Sequence, residues 1–220
     1  MDFFEHLPQD VAELLFAKNA VKIDLENGFA LKGGIHSPVF CEMPVLQSDV
    51  DARSQICGLL LFWVNRHYRD IDAVVGVASG GIGWAASLAG NKLLPLLCAH
   101  AVPKDHGMHN QIDGELPFDG AKVLVIDDTV TSGRSVLSVI KALREGKNGK
   151  KADVLGVCSV FDWDFPVVNQ KFAEMGVEKM HILTFGSLLK YGVVHNLLTP
   201  DVEKRLQAFY NEHCWHPLAD

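Results

Sequence analysis

Val123-Leu124-Val125-Ile126-Asp127-Asp128-Thr129-Val130-Thr131-Ser132-Gly133-Arg134-Ser135 holds two signals side by side. The first four residues are apolar and three are β-branched, the pattern of a strand covered on both faces. Two acids, then hydroxyls and a single glycine, lead from that strand into a helix candidate running from Ser135 to Glu145. Ligands of open α/β sheets bind beyond the carboxyl ends of the strands. The reading therefore places Asp127 and Asp128 at the mouth of a site and the loop after them beside it.

The neighbouring segments repeat the pattern. Ala73 to Val77 and Val154 to Val157 are further apolar runs, and Met180 to Thr184 adds a fourth strand. Helix candidates at Ile82 to Asn91 and Phe165 to Met175 alternate with them, which predicts an open, parallel, twisted sheet flanked by helices. Upstream, Asp10 can cap a helix carrying Val11, Leu14 and Leu15, followed by strand-like Val21 to Asp24 and Phe29 to Leu31 and a Gly33-Gly34 turn. Val50 to Tyr68 reads as one long helix, and Thr199-Pro200-Asp201 opens a last one reaching about His213. The expectation is one domain, residues 1–220, whose first 45 or so residues form a helix-and-strand appendage over the substrate.

Composition narrows the chemistry. The 220 residues hold 27 acidic and 20 basic side chains, a net charge of −7, so no global positive field draws nucleic acid or an anionic membrane surface. Any bound phosphate has to be held locally. Apolar runs fall far short of the roughly 20 residues that span a bilayer, and the first residues carry acids where a secretory signal has Lys or Arg. The five cysteines are odd in number and scattered, without a zinc spacing, and read as reduced thiols of a cytoplasmic protein.

A helix N-terminus offers N–H groups and partial positive charge. With the hydroxyls of Thr131, Ser132 and Ser135, and Gly133 allowing close approach, Thr131 to Ser135 makes a cup for a phosphate. The adjacent carboxylates suit a polyhydroxylated group or the shell of a hard cation such as Mg²⁺. Strand termination and helix capping account for one hydroxyl and one acid, but not for the whole run. The spacing is neither Gly-x-x-x-x-Gly-Lys-Ser/Thr nor Gly-x-Gly-x-x-Gly.

That run resembles the signature of the type I phosphoribosyltransferases, and the chain as a whole is similar to the orotate phosphoribosyltransferases within them. Phe29 to Phe40 resembles their N-terminal substrate segment, Pro103-Lys104-Asp105-His106-Gly107 their mobile catalytic loop, and Val177 onward their C-terminal region. The resemblance implies transfer of ribose 5-phosphate from 5-phosphoribosyl 1-diphosphate to a nucleobase, orotate by default, with Mg²⁺ as cofactor. It implies that Asp127 and Asp128 hold the ribose hydroxyls, directly or through Mg²⁺ and water, and that Thr131, Ser132, Gly133, Arg134 and Ser135 take the 5-phosphate. Lys104 and His106, in a loop of about Pro103 to Phe118, would close over the diphosphate of the neighbouring subunit in a homodimer; alone they read as solvated loop residues. Lys32, Phe40 and Trp163 fall at the base.

Three positions depart from the family pattern. Ser79-Gly80, followed by Gly81, stands where a Tyr-Lys pair is expected, and small residues there would let backbone N–H groups reach a diphosphate or simply form a turn. His100-Ala101 replaces Arg-Lys. Asp162-Trp163 replaces Asp-Arg, removing the guanidinium that pairs with a carboxylate; an indole can stack on a base instead. The same reaction on another base, and a regulatory protein that binds the donor without turnover, remain alternatives at this point.

Overall fold

The structure is a computed structural model and describes residues 7–31, 35–102 and 111–214. The chain opens with α1 (Leu7–Ala17), β1 (Val21–Ile23), β2 (Phe29–Ala30), β3 (His36–Ser37), β4 (Val39–Cys41), α2 (Met43–Ser48) and α3 (Val50–His67). It continues through β5 (Ala73–Val77), α4 (Gly80–Lys92), β6 (Leu96–Ala99), β7 (Ile112–Asp113), β8 (Ala121–Val130) and α5 (Arg134–Glu145). The last elements are β9 (Ala152–Asp162), α6 (Pro166–Glu174), β10 (Glu178–Thr184), α7 (Phe185–Val194) and α8 (Pro200–His213).

Six strands form the central sheet in the order β10-β9-β8-β5-β6-β7, parallel except for the β6–β7 pair at one edge. All five residues of β5 are buried, as a strand covered by helices on both faces requires. From β5 the chain steps to β6 on one side, and from β8 it runs through β9 to β10 on the other. The order therefore reverses between β5 and β8, and a crevice opens beyond their carboxyl ends. Buried side chains from Val11 in α1 to Phe209 in α8 belong to one contiguous core.

Several boundaries differ from the sequence expectation. β8 does not stop at Ile126: its backbone stays paired with β9 as far as Val130 opposite Asp162, so the two acids lie on the strand itself. α1 begins at Leu7, ahead of Asp10. The two upstream strands do not pair with each other; β1 pairs with β4 and β2 with β3, one hairpin nested in the other. The second half of the expected mobile loop is anchored, since Ile112–Asp113 joins the sheet and Leu116 is buried.

Candidate active site

One wall of the crevice is the turn from β5 into α4. Ser79 is its exposed N-cap residue and makes no side-chain cap. A Cβ on Gly80 would lie 2.0 Å from Asp128 Oδ2, so only glycine lets the start of α4 sit against that carboxylate. A Cβ on Gly81 would lie 2.3 Å from the backbone oxygen of Ile126. Gly81, expected among the donor contacts, is instead buried against β8, and its missing side chain serves helix-on-strand packing. Gln47 of α2 donates from Nε2 to the Gly80 carbonyl at 2.6 Å, tying the N-terminal appendage to this turn.

The other wall is the end of β8. Successive side chains on a strand leave opposite faces, and the two acids part accordingly. Asp127 is 6 % exposed and lines a small cup with Thr131, Ser132, Gly133, Arg134 and Ser135. Its Oδ1 accepts from the Asp128 N–H at 2.9 Å, and Asp128 Oδ1 accepts from the Thr129 N–H at 2.8 Å. Gly133, at φ +72°, turns the chain into α5 and makes no side-chain cap. The positive end of a helix of 12 residues thus faces the cup. All five loop residues of the sequence reading come together here, with Thr131 and Ser135 half-buried and Arg134 exposed.

Asp128 and Thr131 also line a second, larger cleft of about 350 Å³. Its other walls come from Ala30, Leu31, Phe40, Cys41, Met43, Pro44, Phe161 and Trp163, so it is apolar apart from Asp128 and two threonines. Burial pushes the Cys41 thiol up to about 12, which keeps it neutral. Phe40 is 37 % exposed and presents its ring at the rim. Trp163 is 2 % exposed, packed parallel to Phe185 and Phe165 with centroids at 4.8 and 5.6 Å. It lines the cleft with little free face, whereas Phe40 is the more exposed of the two rings.

Lys32, Lys104 and His106 lie outside the described residues. Where the family pattern has Arg-Lys, His100 donates from Nε2 to Asp113 Oδ2 at 3.0 Å, a contact across the β6–β7 edge. The two ends of the 103–110 segment are fastened to α5: Ser138 Oγ donates to the Ala101 carbonyl at 2.7 Å, and Gln111 Nε2 donates to Ser138 Oγ at 2.9 Å. The cup and the residues Ala101 and Gln111 therefore share α5 as a support.

The sequence reading missed Gln47, Cys41 and Met43, which reach the site from the appendage, and Phe161, the neighbour of Trp163. It also missed Lys179, whose Nζ lies 2.7 Å from Asp162 Oδ2 and 3.7 Å from Asp164 Oδ1. Burial raises the Asp162 carboxyl above the usual carboxylate range, while the Lys179 ammonium works in the opposite direction. The one signal available was the need for a cation near two acids flanking an apolar residue.

The family described as phosphoribosyl transferase domain matches residues 48–162, which take in both walls of the crevice. Fold, switch point and cup thus define a phosphoribosyltransferase built on an open α/β sheet. An orotate phosphoribosyltransferase of Lactococcus lactis is 32 % identical over 206 residues, 93 % of this chain and 95 % of that protein. One of Streptococcus thermophilus is 30 % identical over 211 residues, 95 % of this chain and 98 % of that one. The crystal structure of orotate phosphoribosyltransferase from Aeropyrum pernix superposes with a TM-score of 0.69 at 29 % identity, covering 82 % of this chain and 97 % of that one. The chain belongs to the orotate phosphoribosyltransferase family, and it is an enzyme of the glycosyltransferase class.

Proposed function

We propose that the crevice binds 5-phosphoribosyl 1-diphosphate and that the apolar cleft beside it takes orotate, giving orotidine 5′-phosphate and diphosphate. The observation that carries this is the sharing of Thr131 between a phosphate-sized cup and a cleft large enough for a nucleobase. A donor held by its 5-phosphate in the cup has its ribose over β8 and its C1 carbon toward the cleft.

In this reading Thr131 to Ser135 hold the 5-phosphate against the start of α5, and Asp127 and Asp128 hold the ribose hydroxyls. The base nitrogen attacks C1 as the C1–O bond to diphosphate breaks, and the bond's electron pair leaves with diphosphate. Positive charge grows on the ribose ring while negative charge grows on the leaving group. Asp128, pressed on by Gly80, is placed to favour the first, and the N-terminus of α4 the second. Asp127 and Asp128 would hold Mg²⁺, which would supply charge neutralisation for the diphosphate. Among the described residues no three metal-ligating side chains converge. Mg²⁺ that takes one or two carboxylates and otherwise substrate oxygens needs no such cluster, so Asp127 and Asp128 fit it.

The described lining of the cleft holds one acid and no cation for the orotate carboxylate. We assign that partner to Lys32, which directly follows Ala30 and Leu31. A second reading, the same transfer to an uncharged base, is favoured by the apolar lining. Lys104 and His106 are assigned to the diphosphate of a partner subunit in a homodimer. The chain is treated as one domain with residues 1–45 as its cover. No described helix is long and apolar enough to cross a membrane, and all five cysteines are free thiols, which supports a cytoplasmic setting.

The test is diphosphate release from purified protein with donor, Mg²⁺ and single bases. Turnover with orotate, and formation of the corresponding nucleotide, is the expected result. Turnover with an uncharged base alone would establish the second reading. Donor binding without release for any base would overturn both.

A further inference from the structure

Trp163 lines the cleft, its ring packed among aromatic side chains, and the backbone turn that carries it is held by polar contacts. Its backbone N–H donates to the Val130 carbonyl at 3.0 Å, one residue before the phosphate cup begins. The residues on either side are both acids. Asp162 is fully buried, and its Oδ1 accepts from the Asp164 N–H at 2.6 Å, closing a tight turn around the tryptophan. Asp164 stands in the left-handed region at φ +55°, with Oδ1 accepting from Asn169 Nδ2 at 2.8 Å. Asp162 carries the cost of a buried carboxylate, and Asp164, whose side chain is 38 % exposed, adds like charge two residues away.

Lys179 relieves this. Its side chain is 7 % exposed, and its ammonium reaches both carboxylates, at 2.7 and 3.7 Å. The same ammonium lies 5.9 Å from the ring centre of Phe172. Phe172 in turn is the side chain that a Cβ on Gly133, in the phosphate cup, would meet at 3.0 Å. One buried cation therefore stands between the turn that carries the cleft wall and the helix that backs the cup.

We infer that Lys179 is a positioning residue for the base: by pairing Asp162 and Asp164 it fixes the turn that sets Trp163 as the wall of the cleft. It touches neither substrate. The inference rests on the reading of the cleft as the acceptor site and names the part of the chain that shapes it. Removing the ammonium leaves the buried Asp162 carboxylate without its nearest counter-charge, and the turn opens to let water reach it. The wall then moves, while the cup, held by β8 and α5, stays.

The experiment compares wild type, Lys179→Met, Lys179→Arg and the charge-balanced double variant Asp162→Asn/Lys179→Met. Steady-state KM for the base and calorimetric Kd for the donor are measured on folded protein. Lys179→Met should raise the base KM at least tenfold with donor Kd changed less than twofold. Lys179→Arg and the double variant should recover most of the loss. Parallel changes in both constants, or none in either, would overturn the inference. If Lys179→Met does not fold, the double variant decides: a base KM near that of wild type is expected, and a tenfold rise in base KM or donor Kd would overturn the role of charge pairing. If wild type turns over no base, the reaction assigned above fails, and the wall is read separately. Trp163 emission, taken as the difference from Trp163→Phe, should shift to the red and become open to acrylamide in Lys179→Met. Unchanged emission would overturn the role given to Lys179.

Discussion

Two neighbouring glycines at the start of α4 should fail in different ways when given a methyl group. At Gly80 the added Cβ would stand 2.0 Å from Asp128 Oδ2 and 2.2 Å from its Cγ, so the contact has to open by more than an ångström. The obstacle is a side chain, and Asp128 is only half-buried, so it yields by rotating. Rotation breaks the hydrogen bond that Asp128 Oδ1 accepts from the Thr129 N–H and carries the carboxylate off the ribose position. A hydrogen bond to a charged group is worth about 1.5–3 kcal/mol. If an interaction of that size with the donor is lost, Kd rises roughly tenfold to a hundredfold. At Gly81 the obstacle is the backbone oxygen of Ile126 at 2.3 Å, with the Asp127 Cα at 2.9 Å, and neither can rotate away. Helix and strand must separate, at the upper end of the 1–3 kcal/mol typical of overpacking, about 3 kcal/mol or more. That corresponds to a fall in Tm of roughly 6–12 °C for a domain of this size.

Gly80→Ala should therefore keep most of its stability and lose donor affinity, and Gly81→Ala should do the reverse as long as it stays folded. Urea unfolding and calorimetric titration with donor and Mg²⁺, run on both variants, separate the two. Unchanged donor affinity in Gly80→Ala would mean that Asp128 does not contact the donor. An intact Tm in Gly81→Ala would show that α4 does not bear on β8 as closely as described.

Other changes have equally definite outcomes. Thr131→Ala should lose about 1–3 kcal/mol of donor binding, and Asp128→Asn should weaken the Mg²⁺-dependent part of it, both by calorimetry. Mixing Lys104→Ala subunits with Asp128→Asn subunits should restore part of the activity, since one site of a homodimer then holds two intact halves; no rescue after verified subunit exchange counts against the shared site. Trp163→Arg should cost about 3–5 kcal/mol of stability by urea unfolding, because the ring it removes packs on Phe165 and Phe185. Burial pushes the Cys41 thiol up to about 12 and keeps it neutral at pH 8. Iodoacetamide followed by peptide mapping should label the half-buried Cys57 and Cys98 before it.

The fold was legible where apolar runs coincide with elements covered on both faces. β5, β9 and the first half of β8 announce themselves through their β-branched residues. What escaped was set by neighbours rather than by composition. β8 extends past its apolar run because the β9 backbone runs beside it to Asp162, and an acid pair on a strand looks the same in sequence as an acid pair after one. β6, right after Pro95, is a short run of four residues defined by its pairing with β5. α7 is apolar on most of its circumference and carries two glycines, so it has no polar face by which a periodicity could mark it.

The site divides along the same line. The phosphate cup is one continuous stretch of chain, so the order of its residues already states its chemistry: acid, hydroxyl, glycine, helix start. The cleft is assembled from segments more than a hundred residues apart, and no local pattern joins Met43 to Phe161. Trp163 shows how far residue-by-residue reading can go. From the sequence it is a missing guanidinium. In the structure it lines an apolar cleft, and the cation beside its flanking acids is Lys179 of β10. The Lys179 ammonium pairs with the buried Asp162 at 2.7 Å and lies 3.7 Å from Asp164, the two acids that flank the wall. On the inference drawn above, charge here acts on the shape of the cleft and not on its contents, and the carboxylate partner proposed for orotate is Lys32, which follows the lining residues Ala30 and Leu31 in sequence.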